Sequence, residues 1–348
     1  MTNVRGRGTG DNPPNRFENR SFEADPDAAD PEAPLPRTQF LKDSSRTIIA
    51  KNDSPDVGFD RSINPYRGCE HGCVYCYARP YHEFLGYSAG LDFETKILVK
   101  EDAPELLREE LASPKWVPQV IAVSGVTDAY QPAERNYGLT RRCLQVLAEY
   151  RNPVLIITKN HLVTRDADVL AEMAASRAAG VVLSITTLDP ALARIMEPRT
   201  STPARRLEAI ETLARAGVPV GVNVAPIIPG LTDSEVPAIL KAAAKAGARF
   251  AGHTVVRLPY AVKELFSQWL TDHYPDRKDK VLNRIQGVRG GKLNDPRFGS
   301  RMSGEGVYAE QIEALFQLAR KKAGIPGGRA ELSAASFRLP PGPQLTLF

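Results

Sequence analysis

The sequence predicts an α/β fold, an incomplete barrel of roughly six βα units, and three observations carry that expectation. Short apolar runs with strand character alternate with amphipathic stretches, each stretch has the ~10–15 residues of a crossover helix, and the chain turns helical and basic only beyond residue 260. Its 348 residues, 42% hydrophobic and 25% charged, suffice to bury a large core. A doubly wound open sheet satisfies the same alternation and is the structural alternative.

Residues 1–45 carry many Pro, Asp, Asn and Arg, as in ADPDAADPEAPLP, without a periodic apolar face, which predicts a disordered N-terminal arm. The core is expected over 46–260. Its strands are QVIAVSG (119–125), VLIITK (154–159), VVLSITT (181–187), VPVGVNVAPI (218–227) and FAGHTVV (250–256). The helices between them are 139–150, 165–178, 203–217 and 233–247, with apolar residues three and four apart. Gly217 and Gly247 suit the residue just past a helix end, and Asp233 suits an N-cap. One more unit around the cysteines brings the count to roughly six. Helices at 264–274, 279–286 and 308–324 predict a basic C-terminal extension over 261–330, followed by a flexible tail over 331–348.

No run approaches the ~18–20 apolar residues of a membrane helix, and the opening MTNVRGRGTGDNPPNRFENR lacks an apolar signal core, so a cytoplasmic location and no membrane partner are expected. Lys and Arg total 45 against 41 acids, and a net charge of +4 is too mild to identify a nucleic-acid binder without considering where the charges lie.

Three of the four cysteines fall in Cys69-Glu-His-Gly-Cys73-Val-Tyr-Cys76. So tight a group cannot staple a chain of this length, and soft thiolates on one loop point to zinc or iron-sulfur chemistry in a reducing compartment. A structural zinc site needs a fourth ligand, usually from a second paired motif, and the chain has none. His71 and His82 are the nearby imidazoles, and His71 is expected to face solvent or a backbone group. Cys143, inside a helical stretch, reads as a small buried hydrophobe. A 4Fe-4S cluster held by three cysteines is the better reading, because it leaves one iron open to a small molecule.

At CEHGCVYC, with Tyr75 just before the last cysteine, the sequence resembles the radical S-adenosylmethionine (radical SAM) superfamily, over about residues 60 to 260. The resemblance implies a partial (β/α)6 TIM-like barrel of the radical SAM type with a helical C-terminal extension. It also implies an enzyme in which Cys69, Cys73 and Cys76 hold a 4Fe-4S cluster, the open iron binds S-adenosyl-L-methionine, and one electron yields a 5′-deoxyadenosyl radical that abstracts hydrogen from substrate. An electron donor such as flavodoxin or ferredoxin follows from that chemistry.

In a parallel barrel, functional groups collect at the carboxyl ends of the strands. Ser124 and Gly125 stand where similar proteins contact the methionine amino group, although an ordinary turn explains them equally well. Ser184 and Asn223 are polar residues in apolar strands, and equivalent strands of the family contact ribose and carboxylate. Arg199 matches the methionine carboxylate, with Arg205 and Arg206 as alternatives and a solvated arginine as the plain reading. The IIPGLTD turn (227–233) resembles the family's adenine-packing turn, and Tyr75 is a second stacking candidate.

SINPYRGCEHGCVYCYARP is most similar to the branch that includes spore photoproduct lyase, a DNA-repair enzyme. That branch places a hydrogen-donating cysteine shortly after the second strand, where this chain has SGVTDAY. Tyr77, Tyr130 and Tyr260 are candidate radical relays, with packing the commoner fate of a tyrosine. Segment 276–305 holds eight Lys or Arg against four acids, which suits phosphate contact as well as a solvated face. The closing Gln344-Leu345-Thr346-Leu347-Phe348 resembles the peptide that docks bacterial polymerases and repair proteins on the sliding clamp, Gln344, Leu345, Leu347 and Phe348 being the contact residues, with self-packing as the alternative. Together these point to a nucleic-acid substrate and to DNA photoproduct or lesion repair. Modification of RNA, protein or a small metabolite is the second reading, and a noncatalytic metal-containing nucleic-acid-binding protein the third.

Overall fold

The computed structural model describes residues 4–18, 36–123 and 125–340. The chain runs through β1 (Gln39–Lys42), β2 (Ile49–Lys51), β3 (Arg61–Ile63), β4 (Tyr66–Arg67), α1 (Leu91–Thr95), β5 (Lys96–Val99) and α2 (Ala103–Ala112). Strands and helices then alternate as β6 (Ile121–Val123), α3 (Glu134–Tyr137), α4 (Leu139–Tyr150), β7 (Val154–Thr158), α5 (Ala167–Ala175) and β8 (Ala179–Ser184). The order continues through α6 (Pro190–Met196), α7 (Pro203–Arg215), β9 (Val220–Ile227), α8 (Val236–Lys245) and β10 (Phe250–Val255). The extension holds α9 (Val262–His273), α10 (Lys278–Gly287), α11 (Ser300–Ser303) and α12 (Val307–Lys322).

The main sheet has the order β10-β9-β8-β7-β6-β3-β2. Its six strands from β3 to β10 are parallel and follow chain order, while β2 pairs antiparallel to β3 at one edge. These are the roughly six βα units expected, and the first of them, β3, feeds the cysteine loop. Among the described residues no pairing joins β10 to β2. One face of the sheet is buried through Val154, Ile156, Val181, Leu183, Val220 and Val222, while Leu155, Ile157 and Val182 on the other face are half-buried, and β7, β8 and β9 accordingly read as nearly continuous apolar runs.

The helices form where sequence periodicity places them. α4 buries Leu139, Cys143, Leu144, Val146, Leu147 and Tyr150 on one face, and Cys143 is indeed a core residue. α7 starts on Thr202, whose hydroxyl accepts from Arg205 N, with Pro203 in the first turn, and stops at Gly217 in the left-handed region. α8 ends at Gly247 in the same way, but Asp233 is not its N-cap. Asp233 instead opens a short 3-10 turn, where its carboxylate accepts from Tyr308 on α12.

Two stretches expected to lack order have defined contacts. Of residues 1–45, residues 4–18 pack beside the cysteine loop, and β1 pairs in parallel with β5 in a small sheet ordered β1-β5-β4, while 19–35 lie outside the described residues. In the tail, Ser333 N donates to Arg177 O, Arg338 N donates to Tyr150 O, and Phe337 packs on Tyr150. Residues 331–340 thus lie along the amino-terminal side of the sheet, and 341–348, with the clamp-type peptide, lie outside the described residues.

Gly221 pairs with Phe250 across β9 and β10, and a Cβ there would fall 2.3 Å from the Phe250 ring carbons. Gly221→Ala is therefore expected to cost about 1–3 kcal/mol by overpacking, read as a lower urea midpoint with an unchanged slope.

Candidate functional site

Polar side chains gather at the carboxyl ends of the parallel strands, on the side of the sheet where β3 runs into the cysteine loop. Asn64, just past β3, accepts from the backbone amides of Gly125, Val126 and Thr127 at 3.1, 3.2 and 3.4 Å. One side-chain oxygen thereby shapes the turn after β6. Ser124 lies outside the described residues. Gly125 offers its carbonyl to the Tyr77 hydroxyl at 2.8 Å, and a Cβ on Gly125 would come within 3.2 Å of Ser62 Oγ.

The cysteine loop is fastened from both ends. Gln131 donates to Gly68 O and accepts from Glu70 N, and Cys69 N donates to Phe93 O. Downstream, the fully buried Arg79 donates through Nε to Cys73 O at 3.0 Å, through Nη1 to Ala89 O and Gly90 O, and through Nη2 to Glu94 Oε1 at 2.6 Å. Glu94, equally buried, accepts also from Gly8 N and Thr9 N, so the N-terminal segment closes over the loop. The fit at Gly8 is tight, since a Cβ there would lie 1.6 Å from Gly72 O.

Cys69, Cys73 and Cys76 are free thiols, the first two buried and the third half-buried. Burial pushes all three pKa values up, and at Cys69 and Cys73 the neighbouring cysteines add to the rise, so the thiols lie within each other's electrostatic reach. Among the described residues no three His, Cys, Asp or Glu side chains close around one point as they do around a single metal ion.

Tyr75 projects from the loop into a buried polar network. Its hydroxyl donates to Glu197 and lies 3.2 Å from Thr186 Oγ1. Glu197 pairs with the buried Arg206, accepts from Thr186 Oγ1 at 2.7 Å and lies 3.2 Å from Lys159 Nζ. Burial alone raises the Glu197 pKa, but Arg206, Lys159 and the two hydroxyls outweigh it and hold the carboxyl well below the usual range. Lys159 follows β7, donates to Ala225 O at 2.8 Å and lies 5.7 Å from the Tyr75 ring centre.

Asp128 bridges β6 and β7, accepting from Thr158 Oγ1 and Lys159 N. It also lies 3.4 Å from His71 Nδ1, while His71 Nε2 meets Asn160 Nδ2 at 3.0 Å. His71 therefore faces neither solvent nor a backbone group. It is buried between two side chains, and burial lowers its pKa.

The remaining sequence candidates divide. Ser184 and Asn223 are register partners on β8 and β9, close to the network, since Ser184 O accepts from Arg206. Arg199 is tied to the loop itself, pairing with Glu70 Oε1 at 2.9 Å. Arg205 pairs on the surface with Glu208. Tyr130 is fully buried on Asp166, whereas Tyr77 and Tyr260 reach solvent. Asn64, Asp128 and Lys159 were missed, although Asp128 and Lys159 follow apolar runs at a strand's carboxyl end; Asn64 follows Arg61-Ser62-Ile63, which gives no such signal. Glu197 had no such signal.

The radical SAM superfamily pattern matches residues 63–243. The chain is 39% identical over 222 residues to an uncharacterized protein of Mycobacterium tuberculosis, covering 63% of this chain and 65% of the relative. It is 33% identical over 173 residues to an uncharacterized protein of Methanocaldococcus jannaschii, covering 50% of this chain and 62% of that one. The chain thus spans less than two thirds of the length of these relatives. A structure of spore photoproduct lyase complexed with dinucleoside spore photoproduct is similar in fold, with TM-score 0.61, 18% identity, and coverage of 83% of this chain and 80% of that chain.

Replacing Arg79 with Met leaves Glu94 buried without its guanidinium and is expected to cost about 3–5 kcal/mol in chemical unfolding. A pH effect is expected at His82, packed on Phe93 and Tyr87, whose pKa burial lowers from 6.5 to about 4. Above pH 6.5 the imidazole is neutral in both states; between 6.5 and about 4 only the unfolded chain takes up the proton, so stability falls as pH falls. His82→Phe is expected to flatten that slope in unfolding curves recorded across this window.

Proposed function

Because the chain belongs to the radical SAM superfamily, a family of enzymes that use a 4Fe-4S cluster and S-adenosylmethionine, we propose that Cys69, Cys73 and Cys76 hold that cluster and that the enzyme acts on nucleic acid. The donor set fits: three unbridged thiols stand on one loop within electrostatic reach of each other, and Cys143 is held away in the core. When bound, the cluster and S-adenosylmethionine supply reductive cleavage of a sulfur-carbon bond and hydrogen-atom abstraction.

The chain's own residues hold and shield this site. Arg79 and Gln131 fix the loop's carbonyls and amides, leaving the thiols free. Gly125, gripped by Asn64 past β6, together with Ser184 at the end of β8 and its register partner Asn223 on β9, offers polar contacts for S-adenosylmethionine. Tyr75 anchors the loop on Glu197, so its ring is a wall of the site. Arg199 is engaged by Glu70, and a carboxylate contact from Arg199 requires it to share or exchange that partner.

One observation carries the substrate reading. Of the eight basic residues in 276–305, Arg289 is buried on backbone carbonyls, Arg297 pairs with Asp295 and Glu305, and Arg301 pairs with Asp56. By contrast, Arg277 and Lys280 line an open cleft of about 480 Å3 against the Gly230–Leu231 turn that follows β9, where Arg284 is paired with the cleft's carboxylate, Asp233, at 3.5 Å. Cations beside a strand-end turn suit phosphates approaching the site. The fold likeness to spore photoproduct lyase supports lesion repair as the specific chemistry, with flavodoxin or ferredoxin as electron donor. The SGVTDAY segment has no cysteine, so the hydrogen donor differs from that branch's.

Anaerobic reconstitution is expected to load about four irons per chain and, with reductant and S-adenosylmethionine added, to yield 5′-deoxyadenosine, and Cys73→Ala is expected to lose both. Turnover with deuterated DNA is expected to carry deuterium into 5′-deoxyadenosine. If 5′-deoxyadenosine forms but takes no deuterium from DNA or RNA, the nucleic-acid reading fails.

Charge reversal at Arg277 and Lys280 is expected to weaken DNA binding and reduce the salt slope by about 1 per contact, measured by titration at several salt concentrations. Deleting 344–348 is expected to abolish binding to purified sliding clamp, measured by surface plasmon resonance.

A further inference from the structure

Beside the cysteine loop the surface carries large aromatic rings that no element covers among the described residues. Tyr81 and Phe84, on the 3-10 helix Arg79–Leu85 that follows the cysteine motif, are 54% and 66% exposed, and Phe17 and Tyr260 are 56% and 60% exposed. Scattered surface rings need no explanation, but contiguous ones do. Phe17 and Phe84 lie 4.7 Å apart, and Tyr81 lies 6.4 Å from Phe84.

The rings are organised around a guanidinium. Arg16 lies 3.6 Å from the Tyr260 ring centre, 4.7 Å from that of Phe17 and 5.6 Å from that of Phe84, and Glu83 pins its Nε at 2.7 Å. Tyr260 has a φ of +49°, a region bulky residues rarely occupy, and in that conformation it caps Arg16 while keeping its outer face open. A second cation, Arg257, sits 4.4 Å from the Tyr77 ring centre, lies within electrostatic reach of Tyr81 and makes no ion pair among the described residues. Tyr77 directly follows Cys76 and donates to Gly125 O, so this surface borders the site already described.

We propose that Phe17, Tyr81, Phe84 and Tyr260 form a stacking platform for unpaired nucleobases, with Arg257 contacting the backbone that carries them. The inference rests on the nucleic-acid reading and makes it specific: the substrate is single-stranded, or has bases swung out of the helix, because bases inside an intact duplex stack on one another and cannot reach a protein ring. Open ring faces with an unpaired cation match bases strung on phosphates. A protein partner needs no such cation and is the competing occupant.

The test uses anaerobically reconstituted holoprotein and a fluorescent oligonucleotide, offered as a single strand and as a duplex. Wild type is expected to prefer the single strand. Tyr260→Ala and Phe84→Ala are each expected to weaken single-strand affinity about 5- to 150-fold, with the salt slope and thermal unfolding unchanged, while Tyr260→Phe and Phe84→Tyr restore it. A 2-aminopurine base in the strand is expected to change emission with wild type and not with the alanine variants. If the alanine variants bind the single strand as wild type does, the platform is overturned, with the nucleic-acid reading intact. Binding of neither strand form by wild type overturns both.

Discussion

Arg79 is the residue on which the arrangement of the cysteine loop depends. A loop whose three thiols are proposed to hold a cluster cannot also spend those side chains on holding itself together, so its backbone has to be satisfied from outside. Arg79 does this with a fork of donors, tying Cys73 O to the Ala89–Gly90 backbone and to Glu94, all without solvent. The pair would be costly to bury alone, but Gly8 N and Thr9 N complete the shell of Glu94, as a buried carboxylate requires. Those same contacts explain why the N-terminal segment is part of the site's scaffold.

A second buried ion pair plays the matching role on the barrel side. Glu197 and Arg206 come from the end of α6 and from α7, yet their partners, Thr186 and Lys159, follow β8 and β7, and Tyr75 comes from the cysteine loop. Loop, strand ends and helices are thereby locked into one rigid frame. The position of Tyr75 before the last cysteine has a local reason here: its ring spans from the loop to the Glu197 carboxylate.

The sequence revealed the repeating parts of this molecule and concealed the unique ones. Apolar runs gave β6 to β10, and three-four spacing gave α4, α7 and α8, because these signals repeat along the chain. β1 was missed because exposed residues such as Gln39 and Phe40 leave little periodic trace, and β4 and β5 because they are only two and four residues long. The N-terminal arm read as disordered because its order comes from Arg7, Gly8, Thr9 and Asn15 bonding to distant residues, which no local composition reports. The cysteines were legible through their spacing, whereas Glu197 and Asp128 matter only through partners brought together by the fold.

Charge shows the same distinction between count and placement. The excess of Lys and Arg in 276–305 suggested a phosphate surface, but Arg289 closes the end of β10 by donating to Val255 O and Val256 O, and Arg301 joins the extension to Asp56 ahead of β3. These residues set the position of the extension. Arg277 and Lys280 lie on one side of the β9 turn, beside the Arg284–Asp233 pair, while the exposed rings lie beside the cysteine loop. A substrate reaching both would be long and anionic with flat apolar groups, which is the combination the proposed nucleic-acid strand supplies.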